Sequence, residues 1–298
     1  MTSTAIPASS SLSSGPAPRL DRRGFLRKGG QAAVALTGLA GWSCLWEPHW
    51  LAIEEGFLQI PNLPQSLTGA RLVHISDLHT GQVSSTYLRR ALEQVNLLEP
   101  DFLVITGDWV DARWGMSHLE EVLEVLKPAR IKTLGCLGNH DYGITYSQVE
   151  LANAVHRCAQ SYGIEVLRNE KVNVAGIQFI GLDDYWSPRF KVRSLMKSLD
   201  SSHPSICLCH NPDACDEPIW EGFRGVILSG HTHGGQCRPP FLPPPVIPVK
   251  NRSYTQGFFQ LDPKRELFIS RGLGHTYRIR FNCRPQIAVF ELTEKKQA

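Results

Sequence analysis

An excess of either charge is the first thing this 298-residue chain lacks: 31 Lys and Arg stand against 28 Asp and Glu, a formal net charge of +3. Even that surplus is local. Residues 1–28 hold Arg19, Arg22, Arg23, Arg27 and Lys28 against Asp21 alone, an excess of four, so everything after residue 28 sums to −1. A nucleic-acid binder keeps its positive charge on the folded part, and that partner is excluded. Cysteine is also scarce. Eight residues with no C-x-x-C pair make neither a disulfide scaffold nor a paired zinc knuckle, and Cys207, Cys209 and Cys215 read as buried small hydrophobes. No internal repeat is visible, and no unbroken apolar run reaches the roughly 20 residues of a membrane span.

What is present is an ordinary globular composition, 42% hydrophobic and 20% charged, with enough chain for two domains or one large one. It is preceded by a leader. Residues 1–18 are rich in Ser, Ala and Pro and read as disordered. Then Arg22-Arg23-Gly24-Phe25-Leu26-Arg27-Lys28 precedes an apolar stretch from about residue 29 to 45, the pattern of a twin-arginine export signal. Gly38 and Ala40 offer a small-residue cleavage site, whereas Trp42, Trp46 and Trp50 favour a retained interfacial anchor. Either outcome places the remainder outside the cytoplasmic membrane, in the periplasm or at the membrane's outer face, by way of the twin-arginine export machinery. The resulting division is 1–45 as disordered N-terminus and signal or anchor, 46–68 as a linker ending in Ile60-Pro61-Asn62-Leu63-Pro64, and 69–298 as one catalytic domain.

From residue 71 onward apolar runs alternate with amphipathic stretches. Strands are expected over 71–75, 101–106, 131–137, 177–180, 205–209 and 225–228. Helical spacing appears at Leu88, Ala91, Leu92 and Val95, at Leu119, Val122 and Leu123, and at Leu151, Ala154, Val155 and Cys158. Such alternation predicts an α/β layered fold. The runs at 257–261, 267–270 and 287–292 lack helical spacing and suggest a second, antiparallel sheet.

Each expected strand runs into polar residues. The first leads to Asp77 and His79, the second to Asp108 and Asp111, the third to Asn139, His140 and Asp141; later strands lead to His210 and to His231 and His233. Ligands of open α/β sheets bind beyond the carboxyl ends of the strands. Glycines before Asp108, Asn139 and His231 allow the sharp bend that aims the next side chain into a cleft. Carboxylate, imidazole and amide oxygen together suit Mn, Fe or Zn. Seven such groups exceed one tetrahedral ion and match two divalent ions sharing a carboxylate, an arrangement that clamps attacking and leaving oxygens in phosphoryl transfer.

The motifs D-x-H (77–79), G-D-x-x-D (107–111), G-N-H-D (138–141), a lone His210 and G-H-T-H (230–233) resemble those of the calcineurin-like metallophosphoesterase superfamily, over roughly residues 72–292. The details H-I-S-D-L-H-T-G, H-N-P-D, G-H-T-H-G-G-Q and S-R-G-L-G, with the leader, are similar to its exported YaeI/YkuE-type phosphodiesterase branch, which is related to bacterial UDP-2,3-diacylglucosamine hydrolases. The resemblance implies a four-layer α-β-β-α sandwich with mixed sheets. It implies Asp77, His79 and His233 on one metal, Asn139, His210 and His231 on the other, and Asp108 bridging. It further implies attack by a hydroxide between the ions and His140 as the catalytic group that protonates the leaving oxygen. The substrate would be a phosphodiester or pyrophosphate, a lipid-linked one among them.

Asp141 could orient His140 or cap a turn, and Asp111 reads as a structural partner. Arg71 and His74 read as packing. The proline-rich 238–245 reads as a rigid loop or an apolar lip, and 183–186 as a turn or a cleft wall. Two rival functions remain: a UDP-2,3-diacylglucosamine hydrolase of lipid A synthesis at the cytoplasmic face, and a non-catalytic binding module.

Overall fold

A computed structural model describes residues 22–295; the expected disordered tail at 1–18 lies outside them. Helix α1 (Arg22–Gly41) begins at the paired arginines and forms a unit by itself; a second compact unit runs from Trp42 onward. No helix of the described residues is long and apolar enough to cross a membrane.

The second unit is built on two six-stranded mixed sheets. The first contains β1 (Ala52–Ile60), β2 (Arg71–Ile75), β3 (Phe102–Thr106), β4 (Lys132–Cys136), β5 (Glu165–Val166) and β12 (Gln286–Glu294), in the order β1-β12-β2-β3-β4-β5. The second contains β6 (Glu170–Val174), β7 (Ile177–Gly181), β8 (Ser205–Leu208), β9 (Gly225–Ser229), β10 (Gly257–Gln260) and β11 (Arg265–Ile269), in the order β10-β11-β9-β8-β7-β6. Strands β2 to β5 are mutually parallel, as are β7, β8, β9 and β11.

Two-residue alternation divides each central strand between two cores. Leu72, Phe102 and Val104 point between the sheets, where they meet Phe179, Ile206, Leu208 and Val226. Val73, Ile75, Leu103 and Ile105 point outward to α2 (Ser85–Leu97), α3 (Leu119–Leu123) and α4 (Val149–Ser161). On the far side, Ile180, Cys207 and Ile227 pack under α5 (Arg193–Lys197) and the short turn of helix at Pro212–Asp216. The result is the α-β-β-α sandwich. Covering both faces explains why these strands read as unbroken apolar runs. Cys136, Cys158, Cys207, Cys209, Cys215 and Cys283 are buried and unpaired, Cys207 and Cys209 in one apolar cluster.

Two expectations are corrected. Residues 46–68 are not a bare linker: β1 forms the edge of the first sheet, in parallel register with β12 from Ala52 opposite Gln286 to Ile60 opposite Glu294. An edge strand is covered on one side only, so Ile53-Glu54-Glu55-Gly56 can stay largely in solvent while Leu58 and Ile60 are buried. Nor do the C-terminal strands make a sheet of their own. The β10–β11 hairpin is antiparallel, but β11 docks parallel on β9, and β12 inserts between β1 and β2. Gln286 to Phe290 are buried without interruption, and a strand apolar on both faces belongs inside a sheet.

Candidate metal centre

The loops after β2, β3, β4, β8 and β9 meet at one end of the sandwich, and they carry all eight residues picked out from the motifs. Asp77, His79, Asp108, Asn139, His210, His231 and His233 are buried, and His140 is half-buried. Five of them, Asp77 (φ 56), His79 (φ 48), Asp108 (φ 52), His231 (φ 69) and His233 (φ 51), adopt left-handed backbone. Such strain costs about 1–3 kcal/mol per residue and persists where surrounding structure enforces it.

Here the enforcement is a lattice of backbone bonds between loops: Asp77 N donates to Gly107 O (3.0 Å), His79 N to Asp108 O (3.0 Å) and Gly274 N to Asp77 O (2.7 Å). The carboxylates are aimed the same way. His140 N donates to Asp108 Oδ1 at 2.8 Å, and His231 N to Asp77 Oδ1 at 3.1 Å. Gly107 bends as expected, at φ +78. Gly138 and Gly230 serve by close approach instead, since a Cβ there would overlap Asp108 Oδ1 or Ser76 Oγ.

Three clusters of candidate ligands result among the described residues, one of them His79, Asp111 and His140, and two made of the motif residues assigned to metal. In one of these two, Asp77, His79 and His233 bring ligand atoms within 4.8 Å of one another; in the other, Asp108, His210 and His231 do. His79 Nε2 and His233 Nε2 face each other at 3.1 Å, with Asp77 Oδ1 3.4 Å from the latter. Asp108 Oδ2 joins the clusters, 3.2 Å from His210 Nε2 and 3.6 Å from His79 Nε2. Asn139 Oδ1 is buried with no hydrogen-bond partner. Imidazole nitrogens, carboxylate oxygens and an unpartnered amide oxygen converging in this way make a donor set that fits divalent cations.

Electrostatics agree. Burial lowers His79 and His231 to about 3 and His233 well below its usual value, so all three are neutral, the ligating form. Burial raises Asp77 to about 6. Burial would also raise Asp108, but His210 pulls it well below the ordinary range; in return Asp108 lifts His210 to about 10 against its own burial. A cation taking both groups must displace that proton, so uptake is favoured at higher pH. His210 Nδ1 donates to Thr106 O at 2.7 Å, and His231 Nε2 is held by Pro248 O at 2.9 Å, which fixes both rings.

His140 stands beside the clusters, its ring 4.7 Å from that of His79. Its Nδ1 lies 3.3 Å from Ala112 N and 3.5 Å from Asp111 Oδ2, leaving Nε2 as the ring nitrogen available to a substrate. The partner of His140 is therefore Asp111, not Asp141. Asp141 accepts from the backbone N–H groups of Trp109, Val110 and Gly138 and acts as a cap binding the β3 and β4 loops together. Sequence reasoning also left open an aromatic wall: Trp186 lies edge-on to His231 at 4.6 Å, and Tyr146 lies 5.3 Å from Trp186 and 6.3 Å from His140. The motif spacing carries no signal for Tyr146; a fold-level view of which loops converge would be needed. His74 packs between the sheets on Thr106 Oγ1 and Phe268, away from the centre.

A metallophosphoesterase is the class that this sandwich and this donor set define, and the chain belongs to it: the calcineurin-like phosphoesterase family matches residues 70–235. Among its relatives, the uncharacterized metallophosphoesterase YkuE of Bacillus subtilis is 31% identical over 292 residues, covering 92% of this chain and 98% of the relative. Phosphodiesterase YaeI of Escherichia coli is 28% identical over 288 residues (92% and 99%). The UDP-2,3-diacylglucosamine pyrophosphatase LpxG of Chlamydia muridarum is 26% identical over 312 residues (87% and 93%). The chain is thus a metal-dependent phosphoester hydrolase, and the non-catalytic module is set aside.

Proposed function

We propose that the chain hydrolyses a phosphodiester or pyrophosphate at this centre, with Asp77, His79 and His233 holding one divalent ion, Asn139, His210 and His231 the other, and Asp108 shared. The observation that carries this reading is the convergence of both clusters on Asp108 Oδ2. Bound divalent ions supply positive charge to phosphoryl oxygens and lower the pKa of water. The chain's own groups do the rest. Burial opposes protonation of His140, but Asp108 and the hydrogen-bonded Asp111 outweigh it and raise its pKa. A proton on His140 Nε2 is thereby favoured and stands ready for the leaving oxygen. Tyr146 and Trp186 stand on the same side, Tyr146 next to His140 and Trp186 next to His231.

The likeness to YaeI and LpxG supports testing diesters and lipid-linked pyrophosphates first. The basic run and apolar segment of the leader support export by the twin-arginine route and work at the outer face of the cytoplasmic membrane; protease accessibility in intact cells checks that placement. For the reaction, the Mn-, Fe- or Zn-loaded protein is assayed on an aryl diester, an aryl monoester and a lipid-linked pyrophosphate. Turnover is expected on at least one of the first and third. His140→Ala is expected to lower kcat by about 10²–10⁴-fold with bound metal unchanged. Absence of turnover on every substrate, or an unaffected His140→Ala, overturns the proposal.

A further inference from the structure

Two loops beside the metal centre carry an apolar tip inside a cationic collar. The first, residues 236–252, returns from the His233 turn through Pro239-Pro240-Phe241-Leu242-Pro243-Pro244-Pro245. Its base is anchored: Pro244 is buried against Gly235, and Arg252 Nη2 donates to Pro244 O at 3.3 Å. Its tip is not covered. Phe241 is fully exposed, and Leu242 and Val246 are 66% and 72% exposed. Phe241 holds φ +66, an unusual conformation for a bulky residue, between Pro239-Pro240 and Pro243-Pro244-Pro245, which restrict the chain on both sides. This loop is rigid, and it aims its largest apolar side chain outward.

The second loop, residues 276–284, lies alongside. Gln236 Nε2 donates to Tyr277 O and Ile279 O at 2.8 and 2.7 Å, and Arg238 N to Phe281 O at 2.8 Å. Tyr277 and Ile279 are exposed. The segment leading into the unit continues this face: Arg280 N donates to Ser43 O, and Trp42 and Trp50 share a surface hollow with Pro240 and Phe281. Trp42 stacks on Trp46 and meets Trp50 edge-on, and all three remain exposed.

Within the two loops the charges are one-sided; Glu54, which lines the same hollow as Trp42 and Trp50, is paired with Arg271. The first loop carries Arg238, Lys250 and Arg252 and the second Arg278 and Arg284, while Arg280 is buried and donates to the backbone carbonyls of Arg271 and Cys283; neither loop has an Asp or Glu. Between Trp42 and Trp50 the single acid, Glu47, is turned inward, accepting from Trp42 Nε1 and Cys283 N. This concentration stands out in a chain whose residues after 28 sum to −1. Exposed apolar side chains ringed by cations and interfacial tryptophans match the boundary of an anionic bilayer, where rings and aliphatic groups enter the acyl edge and cations meet phosphate headgroups.

We infer that the 236–252 and 276–284 loops, with Trp42, Trp46 and Trp50, dock this domain on an anionic lipid bilayer. Docking sets the metal centre at the membrane surface. A cavity of about 260 Å³ between the two loops is lined by Val246, Pro248, Tyr277 and Ile279 on the outer side and by Thr232 and His233 on the inner. It gives an apolar-tailed phosphoester a path from the bilayer to the site. That path rests on the proposed hydrolysis, whereas the docking itself does not.

The test is sedimentation of the full chain with phosphatidylcholine–phosphatidylglycerol vesicles and with phosphatidylcholine alone, alongside hydrolysis of a soluble aryl diester. Wild type is expected to partition onto the anionic vesicles and to be released several-fold by added salt. Phe241→Ser with Leu242→Ser is expected to lower partitioning about tenfold or more, and Arg278→Gln several-fold, both with soluble-substrate turnover unchanged. Equal partitioning of wild type and the double variant overturns the docking surface, because the N-terminal segment alone then carries the protein. So does a wild-type dimer that the double variant converts to a monomer without altering vesicle binding. Loss of hydrolysis in all forms with the vesicle differences intact would count against the proposed reaction only.

Discussion

Among single residues, Asp111 has the most testable effect. It stands between His140 Nδ1 and His79 Nδ1, at 3.5 and 3.9 Å, and its own carboxylate is fixed by Arg113 N at 3.0 Å. By helping to raise the His140 pKa it extends the pH range over which that ring keeps its proton. Removing the charge lowers that pKa, so Asp111→Asn is expected to move the alkaline limb of the kcat profile to lower pH. The rate loss on the acidic side should be smaller than that of His140→Ala. A pH–rate series on both variants with an aryl diester measures the shift, and an unmoved limb would sever Asp111 from the proton. The eight motif residues were legible because each follows its strand within a few positions, so local sequence already contains the geometry. The choice between Asp111 and Asp141 was not, since it depends on how two separate loops fold against each other. Trp186 reaches His231 from β7's loop across the sheet, a contact that no spacing encodes.

Among elements, β1 is the informative case. Glu54, Glu55 and Gly56 break every apolar pattern, and only pairing with a strand more than 200 residues later makes the segment a strand. Its contribution is concentrated in Leu58 and Ile60, both fully buried between the sheets. Leu58→Ala is expected to cost about 2–5 kcal/mol in urea unfolding, whereas the half-exposed Phe57 tolerates the same change. Equal effects at the two positions would mean that the edge strand is not held as described. The central strands needed no such partner to be recognised: with both faces covered, β3 and β9 announce themselves by composition alone. The C-terminal strands were recognised as strands but assigned to the wrong sheet, because propensity names a strand and only packing chooses its neighbours.

At the scale of the second unit, two sheets close on an apolar layer, and among the described residues that layer contains one ionisable histidine. Burial lowers His74 from 6.5 to about 3. The folded protein keeps it neutral, while the unfolded chain takes up a proton below about 6.5. Its stabilising contribution is complete above that pH and declines as pH falls toward 3, by up to about 1.4 kcal/mol per pH unit for the one proton. His74→Gln should retain the contact to Thr106 and lose this titration. The drop in urea midpoint from neutral pH to about pH 5 should therefore be shallower in the variant than in wild type. An identical drop would assign the acid sensitivity to other buried groups, of which His275, also lowered to about 3, is the first to examine.

The position of β12 between β1 and β2 bears on timing. Last in chain order among the described strands, β12 is an interior strand of the first sheet, and Gly272 and Gly274, which cradle Asp77, lie upstream of it, before the 276–284 loop. Without β12, β1 has no neighbour and the edge of β2 is bare. Non-local pairing of this kind is slow to form. The first sheet is closed by a strand remote in sequence from its neighbours, and the cluster around Asp77 rests on Gly272 and Gly274 in the segment that leads to that strand.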